Sequence, residues 1–162
     1  MHSFKEYLEL QSRDQGYGYV SVKPTAETIH DICKLIVDSG ISNTIHPSEL
    51  HMTLAYDANN PVMKVNQSDE VHIGTFKEIK LLGDALVIMV DCESAVKRND
   101  ELAELGFMSD YPDYLPHISV KYNSTKDDYT DVKAAFKQLK LKGKQAKLYN
   151  ELWEFNTGNY VE

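Results

Sequence analysis

Two stretches of the sequence share a pattern that can move protons. Leu50-His51-Met52-Thr53-Leu54-Ala55-Tyr56-Asp57 and Pro116-His117-Ile118-Ser119-Val120-Lys121-Tyr122-Asn123 stand 66 residues apart. Each reads as leucine or proline, histidine, any residue, a hydroxyl residue, aliphatic, any residue, tyrosine, and Asp or Asn. Imidazole changes charge near neutral pH, so two histidines facing one groove suit phosphodiester cleavage: one takes a proton from the attacking oxygen and the other gives one to the leaving oxygen. The hydroxyls of Thr53 and Ser119 add donors for the non-bridging oxygens as charge grows there. With a ribonucleotide substrate the adjacent 2′-hydroxyl can attack phosphorus and form a 2′,3′-cyclic phosphate, so neither a protein nucleophile nor a metal is required.

The spacing alone is common. Nineteen Ser and Thr among 162 positions and six histidines give about 0.7 His-x-hydroxyl pairs by chance. Three occur. His46-Pro47-Ser48 lacks the aliphatic-x-Tyr tail, and its proline argues against an interior strand. The other two share both pattern and tail. In a strand, residues two apart share a face, which groups His51 with Thr53 and His117 with Ser119 and Lys121. Leu50, Met52, Leu54 and Tyr56, and likewise Ile118, Val120 and Tyr122, are then expected on the apolar face that fixes register.

The elements that must hold these residues follow from periodicity. Gly18 to Lys23 alternates as a half-buried strand that sets Tyr19 opposite in direction to Val20, and Pro24 ends it. Ile29, Ile32, Cys33, Ile36 and Val37 predict a helix from Thr25 closed by Gly40. Strands are expected at 50–56, 73–82 and 85–91, the last two flanking a Gly83-Asp84 hairpin. Ser94 is expected to cap a second helix with Val96, Leu102, Ala103 and Leu105 inward and an end near Gly106; Pro112 and Pro116 bracket a tyrosine-rich loop. A strand at 115–122, a helix through Tyr129, Val132, Phe136 and Leu139 closed by Gly143, and a strand at 146–155 complete an α+β chain of antiparallel-rich sheet. The twin motifs suggest two small lobes about an approximate two-fold axis.

Composition narrows the partners. A net charge of −8 is the wrong sign for neutralising many phosphates, so no long nucleic acid and no polyanionic membrane is expected. A small anionic ligand needs only a few aimed donors. The longest apolar run, Ala85 to Val90, is far short of a membrane span. Lys5 and Glu6 do not open an export signal, and unpaired Cys33 and Cys92 are expected as buried thiols, so a cytoplasmic setting is expected. His2, His30 and His72 lack the pattern and read as surface residues. The five lysines between Lys137 and Lys147 read as a solvated helix end.

The paired His-x-Thr/Ser strands resemble those of the two-histidine phosphoesterase superfamily. A wider resemblance runs through Leu86-Val87-Ile88-Met89-Val90-Asp91-Cys92, Val96-Lys97-Arg98 and Asp110-Tyr111-Pro112-Asp113-Tyr114-Leu115-Pro116-His117-Ile118-Ser119, which are similar to phage anti-CBASS phosphodiesterases. Those enzymes degrade the cyclic oligonucleotide signals of bacterial antiphage defence. The resemblance implies a bilobed fold of one domain over residues 1–162, helices on the outer faces and both motifs in a central cleft. It implies catalytic His51, Thr53, His117 and Ser119, substrate contacts from Tyr19, Glu151 and Trp153, no cofactor and no obligate protein partner, in the host cytoplasm. Ser119 stands where threonine is usual in that family.

By residue type alone several alternatives stay open. Tyr19 is a surface tyrosine or a ligand contact, Trp153 a core residue or a base platform, and Lys121 a phosphate contact or a solvated lysine. The same motifs would also serve an RNA-end 2′,3′-cyclic phosphodiesterase, a binding module that sequesters a cyclic nucleotide, or a metallohydrolase using His51, His117 and Asp57 or Asp91.

Overall fold

The computed structural model describes residues 15–109 and 113–156. Within them the order is β1 (Gln15–Gly16), β2 (Tyr19–Pro24), α1 (Ala26–Ser39), β3 (Met52–Tyr56), β4 (Val62–Met63), β5 (His72–Leu82), β6 (Ala85–Asp91), α2 (Glu93–Leu105), β7 (His117–Lys121), α3 (Lys126–Gln138) and β8 (Gln145–Glu154). β2, β3, β7, β6, β5 and β8 form in that order a closed ring, antiparallel at each described pairing. The short β1 and β4, which the sequence pattern does not show, pair separately. This is an α+β fold with antiparallel sheet and three helices among the described residues.

The ring has two unlike faces because its strands alternate. On one, Val20, Val22, Met52, Leu54, Leu86, Ile88, Ile118 and Val120 pack with Ile32 and Leu35 of α1, Leu102 of α2, and Val132 and Phe136 of α3. Each such buried aliphatic or aromatic side chain contributes roughly 1.5–3 kcal/mol, so this face sets the register. The other face carries a separate, smaller apolar cluster, Ala85, Val87 and Met89, beside hydroxyl residues. It is called the open face below.

The start and end of α1, the end of α2 and the start of α3 follow their signals, whereas α3 ends at Gln138 with Leu139 at its cap, before the Gly143 expected to close it. Gly40 caps α1 in the left-handed region at φ 74°, where a Cβ would be strained. Thr125 and Asp128 form a capping box on α3. The buried stripes differ from expectation in two places. In α1, Leu35 is buried and Val37 exposed, because the stripe centres on Thr28, Ile32 and Leu35. In α2, Val96, Ala103 and Leu105 are exposed and the buried line is Ala95, Arg98 and Leu102. A charged residue holds the middle of that line, which a purely apolar template rejects.

Ser94 does not cap α2; Cys92 occupies the cap position, and the Ser94 hydroxyl lies 2.7 Å from His72 Nδ1. His72 is a correction to its surface reading, being 0% exposed on the helix-packed face. Burial lowers its pKa and Arg98 adds to that, against the opposing pull of Glu70 and Glu151. Cys92 is buried and Cys33 half-buried, both free, and His30 is exposed as expected. His2, Lys5, Glu6, Asp110, Tyr111 and Pro112 lie outside the described residues.

Candidate active site

β3 and β7 are neighbours, and their register pairs Met52 with Ile118. An antiparallel pair has a local two-fold axis through such a contact. Thr53 and His117 therefore lie to one side of it, and His51 and Ser119 to the other. The same rotation relates the surroundings of the histidines. His51 Nδ1 is 2.9 Å from the carbonyl of Glu49, and His117 Nδ1 is 2.6 Å from the carbonyl of Leu115, each two residues upstream. A carbonyl only accepts, so both Nδ1 atoms carry hydrogen and donate, which leaves both Nε2 atoms for chemistry.

Tyr19 completes one side. Its hydroxyl lies 2.6 Å from His51 Nε2 and 2.8 Å from Thr53 Oγ1, and the whole residue is buried. Gly18 lets β2 reach this position. A Cβ on Gly18 would stand 2.2 Å from the Asp57 carbonyl, where the chain instead closes an Asp57 N to Gly18 O bond of 2.7 Å. Ser21 faces Thr53 directly across the sheet. His117 is half-buried, and that burial is the main cause of a pKa below the ordinary histidine value. Charge on neighbouring His51 adds to the lowering, and the bond to Leu115 opposes it.

The motif tails break the expected alternation, and both break at the same place. The register of β2 with β3 skips one residue, Leu54, and the register of β6 with β7 skips one residue, Val120. These are β-bulges at equivalent positions of the two copies. Their carbonyls find partners outside the ladder: Asn99 Nδ2 donates to Leu54 O at 2.7 Å and Ile45 N to Val120 O at 2.9 Å. Beyond each bulge the faces swap. Tyr56 pairs with Tyr19, with ring centroids 6.1 Å apart, and Tyr122 packs on Ala85, Val87 and Met89. Both tyrosines thus sit on the open face rather than in the core. Lys121 moves the other way: it pairs with core residue Leu86, and its ammonium lies 2.9 Å from Asp128 on α3, away from Ser119.

Glu151 and Trp153 are not brought to the histidines. They lie on the helix-packed face, where the Glu151 carboxylate accepts from Arg98 Nε at 2.8 Å, Arg98 Nη2 at 2.9 Å, Trp153 Nε1 at 2.9 Å and Ser68 N at 2.8 Å. Burial alone would raise the Glu151 pKa, and these bonds outweigh it and hold the carboxyl below its usual range. The Trp153 indole meets Tyr17 and Phe107 edge-on. The alternate residues of β8 reach the open face instead, Leu152 opposite Ser21 and Glu154 opposite Tyr19. Both 151/153 and 152/154 combine an acid with an apolar side chain, so period-two alternation could not choose between them.

His46 caps the short helical turn at Pro47–Glu49 through its ring nitrogen, a local structural role. The carboxylates needed by a metallohydrolase are placed elsewhere. Asp57 accepts from Asn59 N and Met108 N at 2.9 and 2.8 Å, and Asp91 lies 3.9 Å from Lys77. Among the described residues no three His, Cys, Asp or Glu side chains gather at metal-binding spacing, and no described helix is long and apolar enough to cross a membrane.

The profile of a protein family described as "Anti-CBASS protein Acb1" matches residues 17–155. Proteins of that name are similar to the chain. The one from Vibrio phage KVP40 is 24% identical over 110 residues, covering 65% of this chain and 72% of its own. The one from Enterobacteria phage T4 is 29% identical over 120 residues, covering 70% and 78%. The one from Salmonella phage S16 is 27% identical over 109 residues, covering 65% and 71%. The family match starts two residues before Tyr19 and ends one beyond Glu154, and so takes in both histidine strands and the ring that carries them: the chain belongs to the Acb1 family of anti-CBASS proteins.

Proposed function

We propose that this protein is a phosphodiesterase that opens 3′–5′ linkages of small cyclic oligonucleotide immune signals, and that this is how it acts against CBASS in the infected host cell. The observation that carries the reading is the matched pair of imidazoles, each held through Nδ1 by a carbonyl two residues upstream, on antiparallel neighbours of one ring. In this reading the fold is the bilobed two-histidine type, formed as one domain.

The roles divide by electrostatics. His117, whose burial disfavours its charged form, removes the proton of the ribose 2′-hydroxyl. That oxygen attacks the adjacent phosphorus, and the bond to the 5′-oxygen breaks. His51 gives its Nε2 proton to the departing 5′-oxygen, leaving a 2′,3′-cyclic phosphate and a 5′-hydroxyl. While His51 holds that proton, Nε2 donates to Tyr19, Tyr19 donates to Thr53, and the Thr53 proton is free to bond a non-bridging phosphate oxygen. Tyr19 is thus a positioning residue that couples the acid to the hydroxyl. Ser119 is the corresponding donor of the second motif. Both proton transfers are supplied by the protein, so the reaction runs without a metal and survives excess chelator.

Incubation with a panel of cyclic di- and trinucleotides, read by mass spectrometry, tests this. The parent protein is expected to yield linear products ending in a cyclic phosphate, and His51→Ala and His117→Ala to lose about 10²–10⁴-fold in rate. An intact panel after prolonged incubation with folded parent protein would refute the proposal.

A further inference from the structure

The open face continues past the histidine motifs. β2 runs from Tyr19 through Ser21 to Lys23, and β8 sets Tyr149 opposite Lys23 and Lys147 opposite Ile73 of β5. Lys147 and Tyr149 are two apart and share a face, and Tyr149 is 39% exposed and Ile73 54%. The four side chains form one patch, roughly 13 Å along β2 from Tyr19 at about 3.3 Å per residue. Lys77, Lys121 and Lys144 each have a carboxylate partner, whereas Lys23 and Lys147 have none among the described residues. Most other described lysines also lack such a partner, and what sets Lys23 and Lys147 apart is their place on the face that carries the hydroxyls, where two ammonium groups attract phosphate even on a chain of net charge −8.

Beside this patch the sheet opens. Asn150, in the left-handed region at φ 58°, lies in a register shift of β8 between Tyr149 and Leu152. There the strand and residues 67–71 bound a cleft of about 330 Å³, walled by Tyr149 and Val71 with Gln67, Ser68, Asp69, Asn150 and Glu151 as polar lining, the Glu151 carboxylate already held by Arg98, Trp153 and Ser68. Apolar walls with a few convergent polar groups suit a flat heteroaromatic ring. Asp69 opposes phosphate inside the cleft, while its carboxylate could accept from an exocyclic amine.

We propose that this patch is a distal nucleotide subsite, in which Tyr149 stacks a base at the mouth of the cleft and Lys23 and Lys147 hold a phosphate remote from the linkage at the histidines. It deepens the phosphodiesterase reading, on which it rests, by assigning longer substrates a second point of attachment. Base stacking on an aromatic ring is sequence-tolerant and is worth roughly 5- to 150-fold in affinity per base.

The test compares parent, Tyr149→Ala and Lys23→Ala/Lys147→Ala proteins in two assays. The first is calorimetric binding of the deoxytrinucleotide (dA)3, which has no 2′-hydroxyl and is not turned over by the proposed route. The second is cleavage of cyclic triadenylate against the single-linkage substrate ApA. Tyr149→Ala is expected to weaken (dA)3 binding at least about fivefold and to raise KM for cyclic triadenylate several times more than KM for ApA. The double lysine variant is expected to lower the slope of log affinity against log salt by about 0.7 per contact removed. Unchanged (dA)3 binding in both variants, or equal losses on the two cleaved substrates, overturns the subsite. If the parent cuts neither substrate but (dA)3 binding still depends on Tyr149, the subsite stands and the phosphodiesterase reading falls; cleavage by the parent with indifferent variants gives the reverse.

Discussion

The Tyr19 hydroxyl stands 2.6 Å from His51 Nε2, so the atom proposed to protonate the leaving group is already engaged before substrate arrives. Tyr19→Phe removes that contact and the one to Thr53 while keeping the ring beside Tyr56. The variant should fold normally and lose about 10- to 100-fold in kcat, in the range of one preorganised donor, with a smaller change in KM. A full parental kcat would show that Tyr19 is packing alone.

The pH dependence follows from His117. Burial disfavours its charged form, so the neutral base persists to lower pH than an ordinary histidine with a pKa of about 6.5. The rising limb of kcat/KM should therefore lie below that value, and the falling limb should mark loss of the proton on the acid; the two limbs belong to the coupled pair. The unfolded chain binds more protons in the same window, so stability also declines as pH falls below about 6.5, and rates must be normalised to folded protein. A rising limb at or above the ordinary histidine value would reverse the assignment of base and acid.

Glu151 tests structure against substrate contact. It and Arg98 are both deeply buried and joined by two bonds, so Glu151→Ala leaves a guanidinium whose remaining partners are the Asn66 carbonyl and, as its one carboxylate, Glu101 at 3.0 Å. Loss of one member of such a pair costs about 3–5 kcal/mol. Thermal unfolding should show a large drop in Tm, with kcat per folded molecule near the parent's, and Arg98→Met/Glu151→Leu should recover much of the stability. A KM increase without loss of stability would instead make Glu151 a ligand contact.

Much of this arrangement is legible in the residue order, and what is hidden has specific causes. His51 with Thr53 and His117 with Ser119 obey simple alternation, and their shared pattern pairs the strands. Alternation fails after the bulges at Leu54 and Val120, because an inserted residue leaves no signature in hydrophobic period; hence Tyr56 and Tyr122 face the site and Lys121 does not. Arg98 is concealed because its burial depends on Glu151, 53 positions away. His72 is concealed likewise, since a hydroxyl on α2 provides its bond. Long-range polar partners decide these positions, and local sequence does not name them.

The central claim is that the substrate's own 2′-hydroxyl is the nucleophile and the two histidines only move protons. The most direct measurement pairs a 3′–5′ cyclic oligonucleotide with its analogue lacking the 2′-hydroxyl at the cleaved linkage, following cleavage and affinity for both. Removing one oxygen deletes the attacking atom while leaving phosphates, bases and ring in place, so turnover should vanish while affinity stays within about tenfold. A binding module would hold both and cut neither. Rapid cleavage of the deoxy analogue would contradict the account, even if every histidine variant were inactive.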